Sequence, residues 1–284
     1  MDRDDDLGLF GPGSVTWAVH REPILLLGGL RSLYLQALHP RAMAGVAQNS
    51  DYKTDPWGRL FRTATYVGTV IYGTTAEAEA AGRRLRTLHA RLRATDTSTG
   101  EVFRIDSPEL LRWVHVTEVE SFVTTARRAG APLSDADVDA YYDEQRRSAA
   151  LVGLDPGFVP GSAAEIADYY REIQPQLRMT KEAAETALFL TAPPMPWKVG
   201  AALRVGLSLG PPRWAYFGVA STALGLMPSW ARRLYGGLGL RSAELSAQLS
   251  ARGMRLALSA VPRRYLEGPI YLSAMERAAR LQAA

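Results

Sequence analysis

Three polar side chains that could take part in chemistry lie close together in the segment DPWGRLFRTATYV, residues 55–67. Arg59, Arg62 and Thr63 are three and four residues apart, a spacing that places them on one face of an α-helix. The rest of the segment is rich in apolar side chains. Such a face either forms a solvated charged surface or lines a pocket, where it would bind a carboxylate, a phosphate or a developing negative charge. Spacing alone leaves both interpretations open.

Histidine is the second residue type with chemical potential, and the chain has only four. His89 follows Leu85 by four residues and precedes Leu92 by three, so it lies on the apolar face of an arginine-rich helix. His115 shares a face with Glu118, which is three residues further on and close enough to hydrogen-bond its ring. Each is a candidate ligand for a metal or a haem, and a hydrogen-bonded core position is the alternative for both.

The other two histidines have weaker claims to a chemical role. His20 lies in an N-terminal segment, residues 1–21, that we expect to be an extended arm, and His39 lies at a helix end, where the helix dipole accounts for it. No two histidines have HxxxH or HExxH spacing, so a zinc hydrolase has no support. The one G-x-S-x-G sequence, GLSLG at residues 206–210, lies in a chain whose helical pattern does not suit the strand-to-helix turn of a serine hydrolase.

Composition narrows the class of protein further. The chain has 284 residues, of which 47% are hydrophobic and 22% charged, enough to bury a sizeable core. It contains no cysteine, which excludes disulfides, thiolate nucleophiles and cysteine-ligated metals. The net charge of +4 is small, and no basic run is interleaved with aromatic residues. Nucleic acid is therefore not an expected partner.

Helical signals dominate the chain. Thr74 and Glu77 form a capping box that begins a helix ending near Ala94, and Ser107-Pro108 begins another that ends at Gly130. The paired Gly28 and Gly29 lie inside an apolar helical run and predict close packing there. Period-two alternation is confined to a short stretch around 102–105. The pattern predicts one all-α domain of roughly ten helices spanning residues 1–284.

No segment contains 18 uninterrupted apolar residues. The nearest, residues 199–229, is broken by Arg204 and by Pro211-Pro212. It is interpreted as two helical pieces that either form core and pocket wall or make weak contact with a membrane surface. The N-terminus MDRDDDLGLF is acidic and unlike a secretory signal, so we expect a cytoplasmic protein.

The motifs together resemble a known family. In order they are ALHPRAMAGVAQ, DPWGRLFRTATYV, IYGTT, LHARLR and WVHVTEVESF. This ordered set is similar to the latex-clearing-protein (rubber oxygenase) and MpaB-like oxygenase family, over roughly residues 22–260. The resemblance implies a globin-like all-helical core that holds haem b through one proximal histidine. It also implies the use of dioxygen to attack carbon–carbon double bonds.

The resemblance also assigns roles to residues of this chain. Arg59, Arg62 and Thr63 match the family's distal Arg-x-x-Lys-Thr trio, with arginine in place of lysine, and would be the catalytic residues. The LHARLR motif matches the proximal segment, which makes His89 the expected axial ligand of the iron, with His115 as second choice. Arg59 and His115 would help to bind the haem.

Three functional hypotheses follow from these residues. The first is a haem b oxygenase acting on a hydrophobic small molecule such as a terpenoid, polyketide or fatty-acyl compound, with the region 197–230 as a pocket wall. The second is a helical hydrophobic-ligand binding protein without redox activity. The third is a non-haem metal enzyme whose ligands are drawn from His39, His89, His115 and Glu118.

Overall fold

The computed structural model describes residues 6–194 and 212–283, and within these ranges helix follows helix with short connections. Thirteen α-helices and one two-stranded sheet make up the described part of the chain. The all-α class is therefore confirmed, although the described helices already outnumber the ten predicted from the sequence. The only strand predicted from the sequence is also present.

The helices and strands have the following bounds in chain order. They are α1 Val15–His20, α2 Leu25–Ala37, α3 Pro40–Asn49, α4 Pro56–Tyr72, α5 Thr75–Arg91, β1 Arg93–Thr95, β2 Val102–Arg104, α6 Pro108–Arg128, α7 Asp135–Val152, α8 Ala163–Ile173, α9 Lys181–Thr191, α10 Pro212–Gly225, α11 Ser229–Leu234, α12 Arg241–Ser259 and α13 Pro269–Ala283. Strands β1 and β2 pair antiparallel, with Arg93 opposite Arg104.

Local sequence sets the ends of the helices that matter for function. The Thr74 hydroxyl accepts a hydrogen bond from the Glu77 amide, and the Glu77 carboxylate accepts one from the Thr74 amide, which together begin α5. Pro108 occupies the first turn of α6, where its missing N–H costs nothing. Both helix starts are where the sequence predicts them.

Helix α6 is the centre of the fold, and α2 packs along it. The contact is close because Gly28 has no side chain. A Cβ atom there would lie 3.0 Å from the Ser121 carbonyl oxygen and 3.1 Å from the Phe122 ring. The close packing predicted for this glycine pair is confirmed at Gly28.

A buried ion pair fixes α2 against α6. Arg31 is 1% exposed and donates hydrogen bonds to both carboxylate oxygens of Glu120, one of them at 3.0 Å, and to Ser121 Oγ at 2.7 Å. Tyr170 and Thr124 donate to the same carboxylate. Burial opposes the charge on Glu120, but the Arg31 guanidinium outweighs it and lowers the pKa of that carboxyl. The register between α2 and α6 is set by this network.

The N-terminal segment is not an extended arm over its whole length. Helix α1 buries Trp17 and Val19, and the indole of Trp17 donates to the Ile71 carbonyl at 3.0 Å. His20, expected on a flexible arm, lies in the core with its Nε2 3.2 Å from the Tyr141 hydroxyl. Burial lowers the pKa of His20 to about 3, so it is a neutral core residue.

Helices α4 and α5 form a hairpin that turns at Gly73. Its closed end is well packed, since Val70, Ile71 and Tyr72 on α4 and Ala78 on α5 are buried. Helix α13 packs against α4 at this end, and α5 packs against α7. The hairpin is thus anchored at its turn.

No helix within the described ranges is both long and apolar enough to cross a membrane. The segment 199–229, interpreted as two helical pieces, is described only in part. Residues 195–211 lie outside the described residues, and the second piece corresponds to α10 and the start of α11.

Candidate functional site

The open end of the α4–α5 hairpin lacks the packing that its closed end has. No side chain from residue 53 to 69 or from 83 to 93 is buried in the structure. Two large apolar side chains there are conspicuously exposed, Phe61 at 63% and Leu88 at 54%. Large apolar side chains left exposed on both helices show that this end lacks the packing of the closed end.

Arg59 and Thr63 lie on the α4 side of this open end. Both lie on the helical face that continues into the buried Val70 at the closed end. Arg59 is half-buried, and no carboxylate among the described residues pairs with its guanidinium. Burial lowers the pKa of Arg59, and the nearby charge of Arg62 acts in the same direction. An unpaired, partly desolvated guanidinium favours an anionic partner.

Arg62 takes a different position from the other two members of the predicted trio. Its side chain is 63% exposed, and its Nη1 lies 3.0 Å from Oδ2 of Asp55, the residue that caps α4. Arg59 is thus half-buried, whereas Arg62 and Thr63 are both exposed, although Thr63 shares the helical face of Arg59. The three-residue spacing between Arg59 and Arg62 did not indicate that Arg62 would pair with Asp55.

His89 lies on the α5 side of the same open end. It continues the helical face formed by Ala78, Gly82 and Leu85, which is buried at the closed end and half-buried further along. Burial lowers the pKa of His89, partly opposed by the negative charge of Asp106. The imidazole is therefore neutral at pH 7, the form in which a ring nitrogen can ligate a metal. The inward orientation predicted for His89 agrees with this position.

Helix α6 supplies a third wall. Leu111, Val114, His115 and Glu118 form one stripe of half-buried side chains on a helix whose other faces are largely buried. Glu118 on this stripe lies near Tyr66 of α4, since its charge acts on the Tyr66 hydroxyl. His115 and Glu118 thus face the region between α6 and the hairpin.

His115 does not make the hydrogen bond expected from its spacing to Glu118. Its Nε2 is buried and has no hydrogen-bond partner among the residues that the structure describes. Burial lowers its pKa to about 4, which keeps the ring neutral. A buried ring nitrogen without a partner is costly, and a ligand or a bound water would relieve that cost.

Glu118, which the sequence suggested as a partner of His115 or a metal ligand, takes part in neither role among the described residues and has an unusual pKa instead. Burial raises the pKa of its carboxyl to about 7, and no hydrogen bond within the described ranges stabilises the charged form. Burial also raises the pKa of Tyr66 on α4 to about 12, with Glu118 adding to the rise and Arg86 on α5 opposing it. These three groups are thus close enough to interact and connect α4, α5 and α6 around one space.

The positions of the histidine and carboxylate side chains do not support a non-haem metal site. In residues 6–194 and 212–283, no three histidine or carboxylate side chains are grouped so that they could hold a metal ion. His39 instead caps α3, where its Nδ1 accepts a hydrogen bond from the Ala42 amide at 3.3 Å. The third hypothesis, a non-haem metal bound by several of these residues, therefore lacks a ligand set in these ranges.

Comparison with known protein families gives one match. Residues 17–260 match the family described as ER-bound oxygenase mpaB/B'/Rubber oxygenase, catalytic domain. Because the match covers most of the chain, the protein belongs to this oxygenase family. The chain has no significant match among curated proteins or among solved structures. The family match includes α4, α5 and α6 but ends before α13.

The raised pKa of Glu118 makes a prediction about stability. The buried carboxyl keeps its proton up to about pH 7, whereas in the unfolded chain it loses the proton near pH 4.5. Folding stability therefore falls as the pH rises between these values and stays reduced above them. Glu118→Gln removes this penalty. We expect the variant to be more stable than the wild type at pH 8, by up to about 3 kcal/mol, with the difference disappearing toward pH 4.

Urea denaturation at pH 4 and pH 8 measures this difference. Glu172→Gln, at an exposed position on α8, is the control and should change little at either pH. Equal stability of Glu118→Gln and the wild type at pH 8 would show that the carboxyl is not held in its neutral form.

Proposed function

We propose that this protein is a haem b-dependent oxygenase that acts on a hydrophobic small molecule, with attack on a carbon–carbon double bond as the expected reaction. Membership of the oxygenase family supports the general class. The observation that carries the haem assignment is the unpacked open end of the α4–α5 hairpin, with an imidazole on one helix and a guanidinium on the other.

The residues of this region suit a porphyrin in several independent ways. A neutral imidazole, His89, can ligate iron from one side. Arg59 can pair with a propionate or with charge developing on the opposite side. Half-buried Tyr66 and Leu85, on the same helical faces as Arg59 and His89, can contact the apolar macrocycle. The donor set and the apolar walls therefore fit the group.

The haem would supply the binding and activation of dioxygen. The chain's own groups would set the surroundings in which that chemistry takes place. The Thr63 hydroxyl and the Arg59 guanidinium can donate hydrogen bonds to an oxygen atom held on the α4 side. Glu118 can hold a proton on its carboxyl at neutral pH and release it without a large cost in free energy.

The apolar character of the surroundings favours a hydrophobic substrate. Leu111 and Val114 on α6 lie beside His115 and Glu118 and present half-buried aliphatic surface to the same region. A terpenoid, polyketide or fatty-acyl chain would bury such surface, and each CH₂ group buried contributes about 0.8 kcal/mol. Weak contact with a membrane surface, from which such a substrate would be drawn, is part of this proposal.

The first test concerns the axial ligand. The purified protein should show a Soret band and bind haem near one to one. His89→Ala removes the ligand and should weaken haem binding by at least about tenfold, with added imidazole restoring the band. His115→Ala is the matched variant and should keep the band. Loss of the band in His115→Ala but not in His89→Ala would move the ligand to α6, and colourless protein from haem-replete cells would contradict the proposal.

The second test compares two arginines one helical turn apart. Arg59 is half-buried and unpaired, whereas Arg62 is exposed and paired with Asp55. A cation near the iron stabilises the reduced state, so Arg59→Gln should lower the reduction potential of the bound haem by on the order of 30–60 mV. Arg62→Gln should change it little. The reduction potentials are measured by redox titration. Equal shifts of the potential in the two variants would place both arginines at the same distance from the iron and would contradict the role given to Arg59.

A further inference from the structure

A second cleft lies at the closed end of the α4–α5 hairpin, away from the unpacked end. It has a volume of about 480 Å³ and lies between α4, α5 and α13. Its polar lining consists of Thr69, Glu77, Arg84, Ser273 and Arg277, and Ile270 contributes apolar wall. Neither Arg59 nor His89 borders it. The volume is in the range of small-molecule sites.

Arg277 is the unusual residue of this cleft. It is only 7% exposed, yet its guanidinium pairs with no carboxylate in the described part of the chain. One Nη donates to the Tyr72 carbonyl at 2.6 Å and the other to Ser273 Oγ at 3.2 Å. Its Nε is buried and has no hydrogen-bond partner within residues 6–194 and 212–283. A desolvated cation with an unused donor is costly unless an anion compensates it.

Arg84 provides a second cation at the rim of the cleft. Its side chain is exposed, and no acidic side chain in residues 6–194 or 212–283 pairs with it. Its neighbour Arg83 differs, since it pairs with Glu79 at 3.4 Å and does not line the cleft. Two guanidinium groups from different helices therefore converge on one cavity.

Other charges in the cleft define the charge of a suitable ligand. Glu77 carries one negative charge, so the two arginines and this carboxylate leave one net positive charge. The Glu77 carboxylate also accepts from the Thr74 amide, and Asp6 accepts from the Thr75 amide at 2.7 Å. The amides at the start of α5 are thus already satisfied, and a ligand would be held by the guanidinium groups. A ligand with one negative charge neutralises the single net positive charge of the cleft, whereas a ligand with two negative charges leaves one of them uncompensated.

Ser273 and Ile270 complete the recognition surface. Ser273 Oγ accepts from Arg277, which leaves its own hydroxyl proton free to donate to a ligand oxygen. Ile270 presents apolar surface beside these polar groups. The site therefore combines an oxyanion-binding end with an apolar side.

We propose that this cleft binds a monoanionic carboxylate carrying a short apolar chain, held by Arg277 and Arg84. The site is separate from the proposed haem site, because neither Arg59 nor His89 lines the cleft. Ligand bound here connects α13 to both helices of the hairpin and stabilises their closed end.

Calorimetric titration of the full-length protein with hexanoate, at constant ionic strength, tests the proposal. We expect saturable binding at one site per chain. Arg84→Gln should weaken it by about tenfold, since one charge-assisted hydrogen bond is lost. Arg83→Gln, one residue away and outside the cleft, is the matched control and should bind within about twofold of the wild type.

Three results would overturn the proposal. They are the absence of saturable binding, equal affinities of the Arg84→Gln and Arg83→Gln variants, and tighter binding of butyl phosphate than of hexanoate. Hexanoate that binds only at a haem would be insensitive to Arg84→Gln and would also count against the cleft. Since Arg84 is exposed, its substitution leaves the fold intact.

Discussion

The unequal packing of one helical hairpin is the constraint on which the account depends. Helices α4 and α5 are buried beside Gly73 and unpacked at their other ends. Half-helices of this length are marginally stable without tertiary contacts, so these ends need a partner that buries the faces carrying Arg59 and His89. A flat apolar cofactor with two acidic groups would supply that burial and would also pair with Arg59. Cofactor binding and completion of the fold are in this view the same event.

The rest of the molecule provides a rigid frame for this event. The Arg31–Glu120 pair fixes α2 against α6, and the absence of a side chain at Gly28 allows the two helices to approach closely. Removing either partner of such a pair leaves an uncompensated buried charge. Substitution of Arg31 or Glu120 would therefore strongly destabilise the packing of α2 against α6. His115 and Glu118 are held on this frame, so they face the space beside the hairpin from a fixed wall.

Sequence predicted those features that depend on local or periodic information. Helix starts at Thr74 and Pro108, the packing at Gly28 and the inward face of His89 follow from caps, spacing and apolar periodicity. Other features depend on contacts that spacing does not encode. Arg62 turns outward because Asp55 is within reach, and His20 is buried because α1 packs into the core. The raised pKa of Glu118 and the exposed cation at Arg84 depend on which helices meet, and no spacing or periodicity encodes either.

Hydrogen–deuterium exchange with and without added haem tests the central claim most directly. Haem should slow exchange by at least about tenfold in residues 57–69 of α4 and 84–91 of α5. Amides of α2 and of the middle of α6 should be protected equally in both states, because the frame is already packed. Protection that appears elsewhere while both open helical ends stay unprotected would contradict the claim that the hairpin completes its packing around the cofactor.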